Sequence, residues 1–150
     1  MANPLYGQNK ADEKVDNGMY LLVGPTVSIA AADVADGDVI GGVNIPAGTF
    51  VHKVQVETIV PASGGTPGTT EIDVGDSGDA DLYFDDIDGA ADSSGLGNAA
   101  GTIIALPAGA NTLGKFYSAA DRISMTVVAE SSTAGSCRLL IQCSTPVIPS

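Results

Sequence analysis

Apolar and polar residues alternate along much of the chain from Met19 onward. In segment 50–60 the even positions are mostly apolar, whereas Lys53, Gln55 and Glu57 are charged or polar. Alternation with a period of two is typical of a β-strand that buries one face. The last such segment, 137–143, places Cys137, Leu139, Ile141 and Cys143 on one face. Segment 122–127 has the same pattern, so we predict a strand in all three.

Shorter apolar segments predict further strands, and no segment shows the three-and-four spacing of a helix. The shorter candidates are 19–23, 26–30, 38–43, 70–74, 82–84, 102–106 and 115–118. Eight to ten short strands predict an all-β fold, either a β-sandwich or a barrel, with the jelly roll as the leading variant.

Turn-forming residues separate the predicted strands. Segments 45–48 and 106–109 both read Pro-Ala-Gly after an apolar residue, which is the preference of a type I turn. Segments 63–68 and 131–136 are rich in Gly, Ser and Thr. We predict that these two segments join long strands into hairpins.

Residues 1–18 show neither strand nor helix periodicity. Their composition fits both a disordered tail and an extended arm docked on a partner, and we adopt the arm. Leu5, Tyr6 and Val15 are then its few apolar anchors in otherwise polar sequence. Residues 19–150 are predicted to form one β-domain, because all the alternating segments lie there.

Charge and composition exclude several classes of protein. The chain has 150 residues, of which 44% are apolar, so general disorder is not expected. Six basic residues against 18 acidic ones give a net charge of −12, which disfavours nucleic acid and anionic membranes as partners. The apolar run 19–32 is broken by Gly24-Pro25 and lacks a basic start, so we expect neither a signal peptide nor a membrane span.

Cys137 and Cys143 lie six residues apart on the last predicted strand. That spacing separates them by about 20 Å, which is beyond the reach of a disulfide. We expect two free, buried thiols, compatible with a reducing compartment; pairing with a neighbouring subunit is the alternative.

One short motif suggests a protease and is rejected. Segment 75–78 reads Gly-Asp-Ser-Gly, and His52, Asp73 and Ser77 follow the order used by trypsin-like enzymes. However, Asp79 stands where that family has Gly, and the chain is too short for two barrels. We expect a structural turn here, and for His52 a partnered, half-buried position on the apolar side of its strand.

The densest charge lies between Glu71 and Asp92, which contains nine of the 18 acids and no base. Calcium prefers several carboxylates on loops, but the spacing here does not match the helix-loop-helix calcium pattern. We expect a solvated loop without a metal. A sugar site would need exposed aromatic faces, for which the chain offers six candidates, namely Tyr6, Tyr20, Tyr83, Phe84, Phe116 and Tyr117.

Several turn-and-strand segments resemble the small head-decoration, or cement, proteins of tailed bacteriophages. The resemblance rests on 45–51, 72–81, 117–123, the final hairpin through Ala134-Gly135 and the opening Met-Ala-Asn-Pro. It implies a non-enzymatic β-domain without cofactor or metal, made in the bacterial cytoplasm and bound to the outer surface of the capsid. The implied partners are the major capsid protein and further copies of the chain itself, as a homotrimer.

Two other functions remain open from the sequence. The same β-domain would serve as a tail, baseplate or head-fibre component of a virion. A carbohydrate-binding β-sandwich that uses calcium in the acidic loop is the alternative from another class of protein.

Overall fold

The computed structural model describes residues 19–64, 71–88, 96–97, 99–104 and 114–145. Within these ranges every regular element is a β-strand. The ten strands are β1 (Tyr20–Val23), β2 (Val27–Ser28), β3 (Val39–Ile45), β4 (Thr49–Ser63), β5 (Glu71–Gly75), β6 (Phe84–Asp88), β7 (Ile103–Ile104), β8 (Lys115–Tyr117), β9 (Asp121–Ala129) and β10 (Ala134–Ser144). No helix able to cross a membrane is found in these ranges.

The strands form two antiparallel sheets. Sheet A has the order β1–β10–β4–β7, with β2 also paired to β10 and β8 also paired to β4. Sheet B has the order β3–β9–β5–β6. The fold is therefore a β-sandwich and not a closed barrel, so the expected all-β class is confirmed.

The core lies between the two sheets and is built from small aliphatic side chains. Sheet A contributes alternate residues of β4 and β10, and sheet B contributes alternate residues of β9 and β5. Val56, Leu139, Ile123 and Val74 are each 0% exposed. Because β-branched residues suit a pleated, half-buried surface, the Val- and Ile-rich segments form strands here.

All ten predicted segments contain or overlap a strand, although the boundaries differ. The largest difference is at β6, which begins at Phe84, where the predicted segment 82–84 ends. Acidic residues such as Asp85 have low strand propensity, so the sequence pattern ended the strand too early. The predicted turn at 106–109 lies outside the described residues.

A bulge in β4 corrects the predicted position of His52. Gln142 pairs with Lys53 and Cys143 pairs with Val51, so His52 is an extra residue in the ladder. The bulge places His52 and Lys53 both on the exposed side and shifts the buried positions from odd to even numbers. The prediction that His52 lies on the apolar side was therefore wrong, because strict alternation does not foresee an inserted residue.

The two predicted hairpins were also wrong. Segment 63–68 leads from β4 of sheet A towards β5 of sheet B, and segment 131–136 leads from β9 of sheet B into β10 of sheet A. Both connections therefore cross between the sheets. Ser63 and Thr133, one from each segment, lie side by side, since Thr133 N–H donates to the carbonyl of Ser63 at 2.8 Å. Turn residues indicate where a chain reverses, but not which strand it then joins.

The two cysteines are free and fully buried, as expected. The Cys137 thiol lies 3.7 Å from the Met125 sulfur on β9, so this face of β10 packs against sheet B. Burial raises the pKa of Cys137 to about 12 and that of Cys143 to about 11. Both sulfurs are therefore protonated thiols at neutral pH and poor nucleophiles.

We predict that neither cysteine reacts with a thiol reagent in the native protein, and that both react after denaturation. The measurement is the release of a chromophore from a disulfide reagent at pH 8, with and without guanidinium. A Leu21→Cys variant, with a thiol on an exposed position of β1, is the matched control and should react promptly. Prompt labelling of the wild-type protein would show that β10 presents its other face to the core.

Candidate functional site

The most organised polar cluster begins in the Gly-Asp-Ser-Gly segment that follows β5. Asp76 N–H donates to the carbonyl of Asp79 at 2.9 Å, which folds the segment back on itself. A Cβ atom at Gly75 would lie 2.0 Å from the Asp79 carbonyl oxygen, so only glycine permits this approach. As a result the Asp76 side chain is turned inward and is 0% exposed.

The buried carboxylate is held by residues of the opposite sheet. Tyr117 OH donates to Asp76 Oδ2 at 2.7 Å, and Lys115 Nζ forms an ion pair with the same oxygen. Tyr83 OH lies 2.7 Å from Tyr117 OH; because Tyr117 gives its proton to Asp76, Tyr83 is the donor in this pair. We call Asp76, Tyr83, Lys115 and Tyr117 the Asp76 clasp. It joins the β5–β6 side of sheet B to β8 of sheet A.

The protonation of the clasp follows from its contacts. Burial by itself would raise the pKa of Asp76, but hydrogen bonds from Lys115, Tyr117 and the Gly78 N–H outweigh it and lower the pKa. Burial raises the pKa of Tyr83 to about 12, and burial together with the Tyr83 and Asp76 contacts raises that of Tyr117 further. At neutral pH the clasp is thus an ionised acceptor with protonated donors, an arrangement that holds two elements together.

The residues of the protease-like motif do not converge. His52 Nε2 lies 2.7 Å from Ser144 Oγ on sheet A, and its ring centroid lies 4.7 Å from that of Phe50. Asp73 lies on the outer side of sheet B, between inward-facing neighbours, and its Oδ1 accepts the Asp86 N–H at 2.9 Å. Packed sheets are about 10 Å apart, so the imidazole and this carboxylate are on opposite outer faces. Ser77 is an exposed turn residue, as expected for a structural turn.

A second acidic group lies on the surface of sheet B. One carboxylate oxygen from each of Asp73, Asp85 and Asp86 lies within 4.8 Å of the others. Burial raises the pKa of Asp73, and the negative charges of Asp86 and Asp85 raise it further. The hydrogen bond from the Asp86 N–H lowers the pKa but does not cancel the rise. The sequence grouped all these acids as solvated loop. That was wrong for Asp76, which is buried, and for Asp73, which is half-buried. The alternating pattern does not indicate the burial of these two carboxylates, because their hydrogen-bond partners lie on other strands.

The aromatic residues offer little for a sugar platform. Tyr83, Phe84 and Tyr117 are buried, and Tyr20 is half-buried with its OH 3.3 Å from Thr49 Oγ1. Of the proposed aromatic set within the described residues, Phe116 is the exposed member. Tyr6 and the other two predicted arm anchors, Leu5 and Val15, lie outside the described residues.

Two solved structures contain chains of similar fold. A chain of the Cyanophage Pam1 capsid asymmetric unit has a TM-score of 0.55 and 23% identity, over 86% of this chain and 87% of that chain. A chain of the capsid of Ralstonia phage GP4 has a TM-score of 0.51 and 19% identity, over 84% and 86% respectively. This chain shares its fold with chains from two phage capsids. No protein-family model and no curated protein matches it.

We predict that Asp76→Ala destabilises the protein by about 2–4 kcal/mol, because it leaves the Tyr117 hydroxyl and the Gly78 N–H without their acceptor. Lys115 adds little to this loss, because its side chain is 42% exposed and can turn to water. Urea unfolding at pH 7 measures the change. Ser77→Ala, in the same turn but exposed, is the matched control and should change stability by less than about 0.5 kcal/mol.

The pH dependence of stability should show the same group. The folded pKa of Asp76 lies below its ordinary value of 3.8, so its contribution is present above that value and is lost as the pH falls through the folded pKa. Asp73 has a raised pKa, so its protonation on acidification acts in the opposite direction. We expect Asp76→Ala to lose less stability than the wild type between pH 5 and pH 2. Equal losses would contradict this assignment.

We predict that calcium has no specific effect on stability. Asp73, Asp85 and Asp86 bring one oxygen each to within 4.8 Å of one another, and these three ligand atoms are half or fewer of the six to eight that calcium takes in proteins. Thermal unfolding in excess chelator and in millimolar calcium should give the same midpoint within about 1 °C, whereas saturating a native-state site would add about 2.7 kcal/mol at 100 times the dissociation constant. A rise of many degrees that Asp85→Asn abolishes would show a calcium site.

Proposed function

We propose that this chain is a non-enzymatic structural protein of a tailed-phage virion, which binds the outer surface of the assembled head and stabilises it. The observation that supports this most is the fold shared with chains of two phage capsids over more than four-fifths of the chain. Its proposed partner on the shell is the major capsid protein. Self-association, for which the sequence resemblance implies a homotrimer, belongs to the same proposal.

The strand order supports the jelly-roll variant of the sandwich. β1 and β2 both pair with β10, and β7 and β8 both pair with β4, so each couple occupies one strand position. The ten strands then fill eight positions in two four-stranded sheets. Eight strands in two sheets are the arrangement of a jelly roll, a fold used repeatedly in viral capsid proteins.

Two ion pairs of the described residues join segments that are far apart in the sequence, which suits a protein that reinforces other proteins. In one of them Arg138 Nε on β10 lies 2.6 Å from Glu57 Oε2 on β4. The Asp76 clasp joins the two sheets in the same way. Such contacts connect distant strands and the two sheets, as we expect of a module that reinforces a shell.

Residues 1–18 form the proposed contact with the shell. Leu5, Tyr6 and Val15 are the apolar anchors, because a few buried apolar side chains account for most of the energy of a small interface. An extended segment of this kind can bind by adding a strand to an exposed sheet edge of the capsid protein. Residues 19–150 form the folded domain that the arm tethers.

We predict that deletion of residues 1–18 leaves a folded β-domain but reduces attachment to heads at least tenfold. Heads purified from a phage that lacks this gene would be mixed with the added protein, pelleted and analysed by quantitative mass spectrometry. Wild-type protein should bind in copies comparable to the major capsid protein. The double variant Leu5→Ala/Tyr6→Ala should behave as the deletion does, and Gln8→Ala/Asn9→Ala is the matched polar control.

The outcomes separate the proposed function from its alternatives. A few tens of bound copies per particle would indicate a tail, baseplate or fibre component instead. Absence of the protein from heads and from complete virions would overturn a virion role. Full occupancy by the truncated protein would move the contact from the arm to the β-domain, and a truncated protein that does not fold would place the arm in the core.

A further inference from the structure

The four edges of the sandwich differ in how well they are protected against pairing with another strand. The β6 edge of sheet B carries Asp85 and Asp86, and the β3 edge has a bulge between Ile40 and Val43. The far edge of sheet A consists of the two-residue strand β7 and of β8, which carries Lys115. Charges, bulges and short strands are the usual means of preventing edge-to-edge association.

The β1 part of the remaining edge has no charge and no bulge, although it is four residues long and leads through Gly24-Pro25 into the two-residue strand β2. Its sequence, Tyr-Leu-Leu-Val, contains no charge, no proline and no bulge, and within the described residues it pairs only with β10. Met19, Leu21 and Val23 project from its outer side and are 48%, 53% and 50% exposed. An uncharged, regular edge with an exposed apolar row is a surface suited to strand pairing.

The acidic β6 edge lies away from β1, although on the β1 side Asp33 accepts a hydrogen bond from Ser28 of β2 at 2.6 Å. A Cβ atom at Gly24, directly after β1, would lie 3.0 Å from the Val43 side chain, so β1 lies over β3. The Tyr83–Tyr117 hydrogen bond places the start of β6 under β8. β1 and the acidic β6 edge are therefore on opposite sides of the sandwich. Two copies that met at β1 would keep their acidic edges as far apart as the fold allows.

We propose that the free edge of β1 pairs with the same edge of a second copy of this chain, antiparallel and about a twofold axis. With Leu21 opposite Leu21 of the second copy, Met19 faces Val23, and Tyr20 faces Leu22. Each outward apolar residue then meets an outward apolar residue, and each inward residue meets an inward one. The pairing continues sheet A from one copy into the next. This inference does not depend on the proposed attachment to heads, and it puts a twofold dimer in place of the homotrimer that the sequence resemblance implies.

The contact is small, so the pairing is weak in free solution. Five residues on each side cannot bury the roughly 1,200 Å² or more of total area that stable interfaces bury. We expect a dissociation constant between about 1 µM and 1 mM, which is the range of weak protein complexes. Copies bound side by side on a shell would meet at a far higher effective concentration than free copies do.

Sedimentation equilibrium of the full chain from about 1 µM to 1 mM tests the inference, with no heads present. The mean mass should rise from one chain towards two as the concentration increases. Leu21→Lys places like charges opposite each other and should raise the dissociation constant at least about tenfold. Val60→Lys, a change at an outer residue of β4 that is 48% exposed but not at an edge, is the matched control and should leave dimerisation unchanged.

A crosslink tests the register directly. Opposed Cα atoms of an antiparallel pair are about 4.5 or 5.5 Å apart, within the range of a disulfide. Leu21→Cys should therefore form a disulfide-linked dimer on oxidation with diamide, whereas the wild type, with its two buried thiols, should not. Leu21→Cys also introduces no charge, so it remains informative if Leu21→Lys does not fold.

Three results would overturn the proposal. The first is a full chain that stays monomeric over the whole concentration range. The second is a trimer or other oligomer whose mass Leu21→Lys does not change. The third is a monomeric full chain that dimerises only when residues 1–18 are deleted, which would show that its own N-terminal segment covers the β1 edge.

Discussion

The antiparallel pairing of β4 with β10 is the interaction on which the rest of this structure depends. It joins segments far apart in the chain, as the Arg138–Glu57 contact across 81 positions shows. The pair forms the centre of sheet A, and every other strand of that sheet attaches to one of its two members. Its inner face supplies Val54, Val56 and Ile141 to the core, each 0% exposed.

The same pairing sets the chemistry of the outer face. The bulge at His52 makes room for an extra residue and turns the imidazole towards Ser144 and away from the core. Because β10 must present Cys137 and Cys143 inward to pack against sheet B, both thiols are removed from solvent. The only histidine and both cysteines of the chain are thus in structural positions determined by strand register.

The sandwich has two unlike sides. One side has the acidic β6 edge with the Asp76 clasp next to it, where a carboxylate is buried and fully supplied with donors. The other has β1, which is apolar and uncharged. In a protein with a net charge of −12, β1 is thus an uncharged strand on the side away from the acidic β6 edge.

The sequence by itself determined the strand content and most strand positions, because a period of two in hydrophobicity is a local property that each segment carries alone. It also determined the inward face of β10, since Cys137, Leu139, Ile141 and Cys143 have no competing apolar face. The bulge at His52 was not predictable from a local pattern, because it depends on the register of β4 against β10.

Only the tertiary structure decided which strands pair and which polar groups are buried. Segments 63–68 and 131–136 were expected to make hairpins but connect strands of different sheets, because β4 and β10 pair with each other and not with the strands next to them in the sequence. Asp76 looks like any other acid of its segment until Lys115 and Tyr117, about 40 residues later, supply its donors. Pairing and burial of this kind depend on contacts between distant parts of the chain, and no local pattern records them.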